Sequence, residues 1–333
     1  MSVRPQEVQA LSTRGEPVPS PHSYPSRALT SRSYCMASSY LINDLVSRML
    51  SGRNKATIQS LKTMRDANRP ITMLTAYDYQ TGRACDLHGI DITLVGDSLA
   101  QVCLGYDSTT SLTLDEMIHH CRAVARGSKN PFLVADMPYG TYHTGIDDTV
   151  RNAIRMVREG GIEGVKMEGG LEIVELVKKL TAFGIPVMGH VGLLPQRHTA
   201  LSGYRVQGKD AKGAVELLRN ALALEKAGAF SIVLEAIPHR LGELITRRLS
   251  IPTIGIGAGP YTSGQVLVWD DVMGTWSGHK AKFVRRFADV QSEAKRGVTA
   301  YAAAVREGTF PDIEAESYPM EDLEWQQVAA ELK

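Results

Sequence analysis

From Ile71 onward the chain alternates short apolar runs that end in Gly, Asp, Glu or Pro with longer stretches in which apolar positions recur at helical spacing. The runs are Ile71 to Asp78 (ITMLTAYD), Ile92 to Asp97 (ITLVGD), Pro131 to Pro138 (PFLVADMP), Gly164 to Gly169 (GVKMEG), Ile185 to Gly192 (IPVMGHVG), Ser231 to Pro238 (SIVLEAIP), Pro252 to Gly259 (PTIGIGAG) and Val266 to Asp271 (VLVWDD). Helical stretches fall between and after them, near residues 79–88, 113–127, 147–159, 171–183, 210–227, 239–249 and 279–306. Eight strands buried on both faces and joined by helical crossovers predict a closed (β/α)8 TIM barrel, not an open doubly wound sheet. The barrel is placed at residues 71–308. Residues 41–70 are a helical lead-in, within which Thr57 to Met64 reads as a helix closing the barrel bottom. Residues 309–333 form a polar C-terminal extension, and no repeat beyond the strand–helix unit is visible.

Composition alters this picture only at the ends. With 43% hydrophobic and 22% charged residues the chain can bury a large core. Residues 1–40 differ: they are rich in Ser and Pro, carry Arg4, Arg14, Arg27 and Arg32, and have only Glu7 and Glu16 as acids. That pattern resembles a mitochondrial transit segment, which would place the protein in the mitochondrion. The alternative is an unprocessed disordered tail on a cytoplasmic protein. Lys and Arg number 37 against 36 Asp and Glu, so no overall field steers the chain toward nucleic acid. No apolar run approaches the roughly 20 residues that span a bilayer, so the protein is not integral to a membrane. Cys35, Cys85, Cys103 and Cys121 make no CxxC pair and read as thiols in a reducing compartment.

In barrels of this kind the carboxyl ends of the strands converge on one mouth and build the site. Here the second run ends in Asp97 and Ser98, the third in Asp136, the fourth in Lys166 and Glu168, the fifth in His190 and the sixth in Glu235. A single acid after a strand often serves only to cap the next helix. Ionisable groups at five consecutive strand ends are better explained by a convergent cluster, especially as Asp136 and Glu168 are followed by Met-Pro and Gly-Gly. Carboxylates held together repel unless a cation or a proton sits among them. All-oxygen ligation favours Mg²⁺, and the absence of HExxH and paired cysteines argues against Zn²⁺. A buried ion-pair network with Lys166 is the structural alternative. A 2-oxo acid suits such a centre, because chelation through its carboxylate and keto oxygens acidifies the adjacent C–H and stabilises an enolate. The Gly-rich run at residues 255–265 (GIGAGPYTSGQ) follows the seventh strand. It is a phosphate cradle or merely a tight loop.

The runs MLTAYD (73–78), VGDSL (95–99), ADMPYG (135–140), VKMEGG (165–170), GHVGLLPQ (189–196), VLEAIP (233–238), GIGAG (255–259) and SGQVLVWDD (263–271) closely resemble, in order and spacing, ketopantoate hydroxymethyltransferases. The resemblance spans roughly residues 55–320, including FPDIEAESY (310–318). It implies a barrel of the phosphoenolpyruvate/pyruvate type. The implied reaction converts 3-methyl-2-oxobutanoate, with 5,10-methylenetetrahydrofolate as co-substrate, to 2-dehydropantoate on the route to pantothenate. By motif position it implies Asp97, Asp136 and Glu168 at Mg²⁺, Ser98, Asp136, Lys166 and His190 at the 2-oxo acid, and Glu235 as the catalytic acid/base. It implies a homo-oligomer as well. Ser263 stands where an acid or amide is common, and Asp270 where a histidine is common, which bears on the folate-side mouth. The rival readings are a carbon–carbon lyase of the same superfamily, which would need a cysteine loop absent here, and a non-catalytic barrel scaffold.

Overall fold

Parallel strands buried on both faces need a helix over each outer surface, and the chain supplies that alternation. The computed structural model describes residues 53–278 and 280–332. The transit or disordered segment, Cys35 and the first part of the lead-in lie outside the described residues. The strands are β1 Ile71–Thr75, β2 Ile92–Val95, β3 Phe132–Asp136, β4 Gly164–Glu168, β5 Val187–Gly192, β6 Ser231–Glu235, β7 Thr253–Ile256 and β8 Gly264–Leu267. They close in sequence order into one barrel, with β1 pairing β8 in parallel. The predicted fold class is the observed one.

The helices are α1 Ile58–Asp66, α2 Tyr79–Leu87, α3 Leu99–Val102, α4 Leu114–Gly127, α5 Ile146–Gly160, α6 Val174–Ala182, α7 Ala211–Lys226, α8 His239–Arg248, α9 Trp269–Met273, α10 Val290–Glu307 and α11 Asp322–Glu331. Their starts are written locally. Thr113 and Glu116 form a reciprocal capping box at α4, and Asp78 with Thr81 forms one at α2. Helix α1 closes the bottom as expected: Leu61 and Met64 join a cluster with Phe132, Phe230 and Ile254.

Because strand side chains alternate, each strand sends one file into the barrel and one toward the helices. Val165 and Met167 of β4, Ile232 and Leu234 of β6, and Leu133 and Ala135 of β3 pack in the outer cluster. The inner file of β3 is Phe132, Val134 and Asp136. That of β6 ends in Val233 and Glu235, and that of β4 in Lys166 and Glu168. The spacing of two between Lys166 and Glu168 is what puts both inside.

The end of the barrel departs from the sequence reading. The eighth strand starts at Gly264, two residues before the predicted run, and Trp269–Asp271 turn into α9. Gly264 lies so close to β1 that a Cβ there would stand 2.3 Å from the Ile71 carbonyl oxygen. Hydrophobicity does not report such a contact, because the glycine has no side chain to pattern. The helix predicted over 279–306 begins only at Val290, capped by Asp289. Ahead of it, Val284 is buried and Phe283 packs on Gly257, so this stretch lies back over the barrel as irregular chain. Helix α10 buries none of its residues. The extension after Gly308 is polar only in part: it contains α11 and leaves Ile313, Tyr318, Leu323 and Trp325 exposed.

Candidate active site

Asp97, Ser98, Asp136, Lys166, Glu168, His190 and Glu235 all line one cavity of about 180 Å³ at the carboxyl ends of the strands. Every residue selected from the strand ends is therefore brought together. Helix capping explains none of the four acids. Asp136 Oδ2 accepts from the Asp97 amide (3.0 Å), and Glu168 Oε2 accepts from the Gln196 amide (3.0 Å). The acids that do cap helices, Asp78, Asp210 and Asp289, lie outside this cavity.

Asp97, Asp136, Lys166, Glu168 and His190 are each at most 5% exposed, so their charges act through little solvent. Burial, then the neighbouring Asp136, pushes the Asp97 carboxyl up to about 7. Burial, then Asp97, raises Glu168 well above the usual range. Burial alone would lower Lys166, but Asp136, Glu168 and Asp97 together hold its ammonium above its ordinary pKa. Burial pushes Glu235 up to about 8, with Lys166 opposing. Burial, then Lys166, lowers His190 well below its usual value, so the ring is neutral. Its tautomer follows from the contacts. Nδ1 faces the Lys166 ammonium at 3.1 Å and must accept, which leaves the proton on Nε2, 3.1 Å from Glu235 Oε2. His190 thus pairs with Lys166 through Nδ1, while its Nε2 approaches Glu235 without making a hydrogen bond.

The donor set suits a hard cation. Asp136 Oδ1 stands 2.7 Å from Lys166 Nζ but out of line for a hydrogen bond, so it is a buried oxygen without a hydrogen-bonding partner. Beside it, Asp97 is an acid that burial has made reluctant to ionise alone. Among the described residues, no three His, Cys, Asp or Glu side chains are arranged to enclose a metal ion. Asp97 and Asp136 side by side are the one or two carboxylates that Mg²⁺ takes while keeping its waters.

A larger cavity of about 690 Å³ adjoins the first and shares Ser98, Gln101, Tyr204, Glu235 and Val268 with it. Trp276 and Phe283 give it aromatic walls, and Arg205, Lys282 and Asp271 give it charge. Among the described residues no cysteine lines either cavity, so the thiol acid of a cysteine-loop lyase is not placed there.

Comparison with known proteins agrees with this geometry. Residues 55–313 match the family Ketopantoate hydroxymethyltransferase. The chain belongs to that family. It is 50% identical over 268 residues to the 3-methyl-2-oxobutanoate hydroxymethyltransferase of Heliobacterium modesticaldum, covering 80% of this chain and 97% of that one. It is 46% identical over 285 residues to the enzyme of that name from Emericella nidulans, covering 84% and 81%. Among solved structures, the barrel is similar to phosphonopyruvate hydrolase in complex with oxalate and Mg²⁺ (TM-score 0.52, 14% identity, 83% of this chain and 96% of that chain). It is also similar to 2,3-dimethylmalate lyase, a PEP mutase/isocitrate lyase superfamily member (TM-score 0.51, 16% identity, 83% and 95%). These two likenesses concern the fold. Membership makes the chain a hydroxymethyltransferase, and the scaffold and lyase readings fall away.

Within this ketopantoate hydroxymethyltransferase, two expectations about the mouth need correction. Ser263 lies at the opposite end of the barrel, where its amide and hydroxyl engage Thr253 at the start of β7. Asp270 follows β8, but its side chain is taken by the Thr275 hydroxyl, and Asp271 is the acid that lines the larger cavity. The Gly-rich run after β7 is a tight loop. Gly257 and Gly259 have positive φ (68° and 84°), and a Cβ on Gly259 would come within 2.3 Å of His239.

The strand-end reading also missed Gln196. Its side-chain amide donates to Asp97 Oδ2 (2.9 Å) and to the Met137 carbonyl (3.0 Å), and its Oε1 accepts from Tyr142 (2.6 Å). With its backbone amide on Glu168, it ties together the loops that carry three of the four acids. It was present in the GHVGLLPQ run, but a polar residue in a turn has no periodicity to mark it. Glu235 was found by position, although the means of presenting it was not: Ala236 is held at φ 46°, a left-handed conformation that alanine adopts at a cost of about 1 kcal/mol.

Proposed function

We propose that the chain transfers a hydroxymethyl group from 5,10-methylenetetrahydrofolate to 3-methyl-2-oxobutanoate, giving 2-dehydropantoate for pantothenate synthesis, with Mg²⁺ as the metal. The observation that carries the reading is the pair of adjoining cavities. A small one rich in acids fits a 2-oxo acid, and a larger aromatic-walled one fits a folate, with Ser98 and Glu235 on their shared boundary.

In this reading Asp97 and Asp136 hold Mg²⁺, with Glu168 as the third acidic group beside them. Bound there, the ion supplies Lewis-acid polarisation of the 2-oxo carbonyl, which makes the C3 proton more acidic. Lys166, held protonated among the acids, adds fixed positive charge where negative charge develops on the oxo-acid oxygens. Ser98 donates to the same end of the substrate. Glu235 takes the C3 proton. Its carboxyl titrates near 8 and its edge faces both cavities, so it can hold or release a proton near neutral pH. The neutral His190 ring lies beside Glu235, its Nε2 3.1 Å from Oε2. One C–N bond of the methylene bridge opens to leave an iminium carbon, C3 bonds to it, the second C–N bond breaks and water supplies the hydroxyl. The proton taken from C3 and the remaining proton of water end on the two carrier nitrogens.

The test is product formation. Full-length protein is incubated with both substrates, with Mg²⁺ or with a chelator, and 2-dehydropantoate is sought by mass. Metal-dependent product is expected, and Glu235→Gln should lower kcat by about 10²- to 10⁴-fold. Exchange of the C3 proton with deuterated solvent without product would refute the folate donor. Near-normal turnover by Glu235→Gln would refute its role.

A further inference from the structure

Thr75, Tyr77 and Ser98 form a chain of hydroxyls whose protons run one way. The Trp269 amide can only donate, and it donates to Thr75 Oγ1 over 2.8 Å. Thr75 Oγ1 donates in turn to the Tyr77 phenol oxygen over 2.7 Å. Tyr77 has one proton, and with the Thr75 side already supplied, that proton goes to Ser98 Oγ at 2.9 Å. Ser98 Oγ is thereby an acceptor on its Tyr77 side. It caps no helix amide, so its own proton is left for the cavity that it lines.

The local fold reserves Tyr77 for this contact. Its amide donates to Thr81 Oγ1 (2.9 Å) and its carbonyl contacts His120 Nδ1 (2.6 Å), which fixes the backbone on both sides. Its ring is 3% exposed and Thr75 is equally buried, so water does not compete along the chain. The direction matters because a serine hydroxyl is ambivalent. Were Ser98 to donate to Tyr77, its lone pairs would face an incoming carboxylate and repel it. Held as an acceptor from Tyr77, it offers a proton to the anion, and a hydrogen bond to a charged group is roughly twice as strong as a neutral one.

We propose that Tyr77 is a positioning residue that presets Ser98 as a hydrogen-bond donor to the anionic end of the 2-oxo acid, with Thr75 and the Trp269 amide fixing the direction of the relay. This rests on the assignment of Ser98 to that substrate.

The experiment is a double-mutant cycle on the full-length, Mg²⁺-loaded protein. KM and kcat for 3-methyl-2-oxobutanoate, and its dissociation constant by calorimetry, are measured for wild type, Tyr77→Phe, Ser98→Ala and the double variant. Tyr77→Phe should raise KM and the dissociation constant about five- to tenfold, with the effect on KM and not on kcat. The double variant should match Ser98→Ala alone, a coupling that general loosening of the fold does not produce. Thr75→Val, which keeps the volume and the Tyr77 phenol but removes the upstream hydroxyl, should raise KM in the same direction. It carries the test if Tyr77→Phe does not fold. A costly Ser98→Ala beside a silent Tyr77→Phe, or effects that multiply in the double variant, would overturn the relay alone. A silent Ser98→Ala would overturn the substrate assignment and the relay with it.

Discussion

The two ends of the barrel are built from the same inward files of the same strands, yet they do opposite things. At the amino ends, Ile71, Ile92, Phe132 and Ile254 pack with Leu61 and Met64 of α1, and the Phe132 and Phe230 rings meet edge to face at 5.2 Å. At the carboxyl ends, two positions along β3 and β6, the files change from Val134 to Asp136 and from Val233 to Glu235. Burial that is favourable for a phenyl ring is unfavourable for a carboxylate, and the raised values of Asp97, Glu168 and Glu235 measure that cost. The bottom holds the barrel closed. The top uses that rigidity to keep like charges closer together than they would stay in water.

Substitutions at the two ends should therefore separate activity from stability. The largest effect is expected at the top. Asp97→Asn keeps the shape and an acceptor for Gln196, but removes the charge that would hold the metal. The loss of several kcal/mol of transition-state stabilisation is about 10³-fold in kcat, at about 1.4 kcal/mol per factor of ten. Denaturant unfolding in chelator should show no loss of stability, because the buried carboxyl was already disfavoured as an anion. At the bottom, Phe132→Ala should cost about 3 kcal/mol of unfolding free energy, near the low end for a buried aromatic because the ring lies at the barrel's edge. Turnover per folded molecule should stay within about twofold of wild type. If Asp97→Asn destabilised as Phe132→Ala does, or Phe132→Ala cut turnover in the folded protein, the division of labour would be wrong.

That division also explains which parts could be read from the chain. The strands were legible because Phe132–Asp136 and Ser231–Glu235 are buried on both faces and leave continuous apolar runs. The acids at the mouth were legible because they interrupt those runs. What sequence pattern does not record is one element touching another. Gly264 against Ile71, Phe283 folded back on Gly257, and the four hydrogen bonds of Gln196 are contacts between distant segments, made by residues with no periodic signature. The eighth strand, the last crossover and the polar ties of the site were misplaced or missed for that reason. Ser263 was assigned to the mouth from the motif that it shares with Asp270, although it precedes the strand and Asp270 follows it, so the two sit at opposite ends.

The smallest effect is the most direct measure of the cost stored at the top. In the folded, metal-free protein Asp97 titrates near 7 and Glu235 near 8, whereas unfolded carboxyls titrate near about 4. Both folded values are raised, so the stability these groups contribute is fully present below about pH 4 and is lost as pH rises toward 7 and 8. In chelator, unfolding free energy should fall across pH 6 to 8, with at most about 1.4 kcal/mol per pH unit from each group. Glu235→Gln removes one titrating site, so the difference between variant and wild type isolates its share, about 2 kcal/mol at most over that range. Mg²⁺ should reduce the fall, since a cation favours ionised carboxylates and its stabilisation grows with pH. The same slope with Mg²⁺ as with chelator would mean that Lys166 alone balances these acids, and the top of the barrel would then be an ion-pair network, not a metal site.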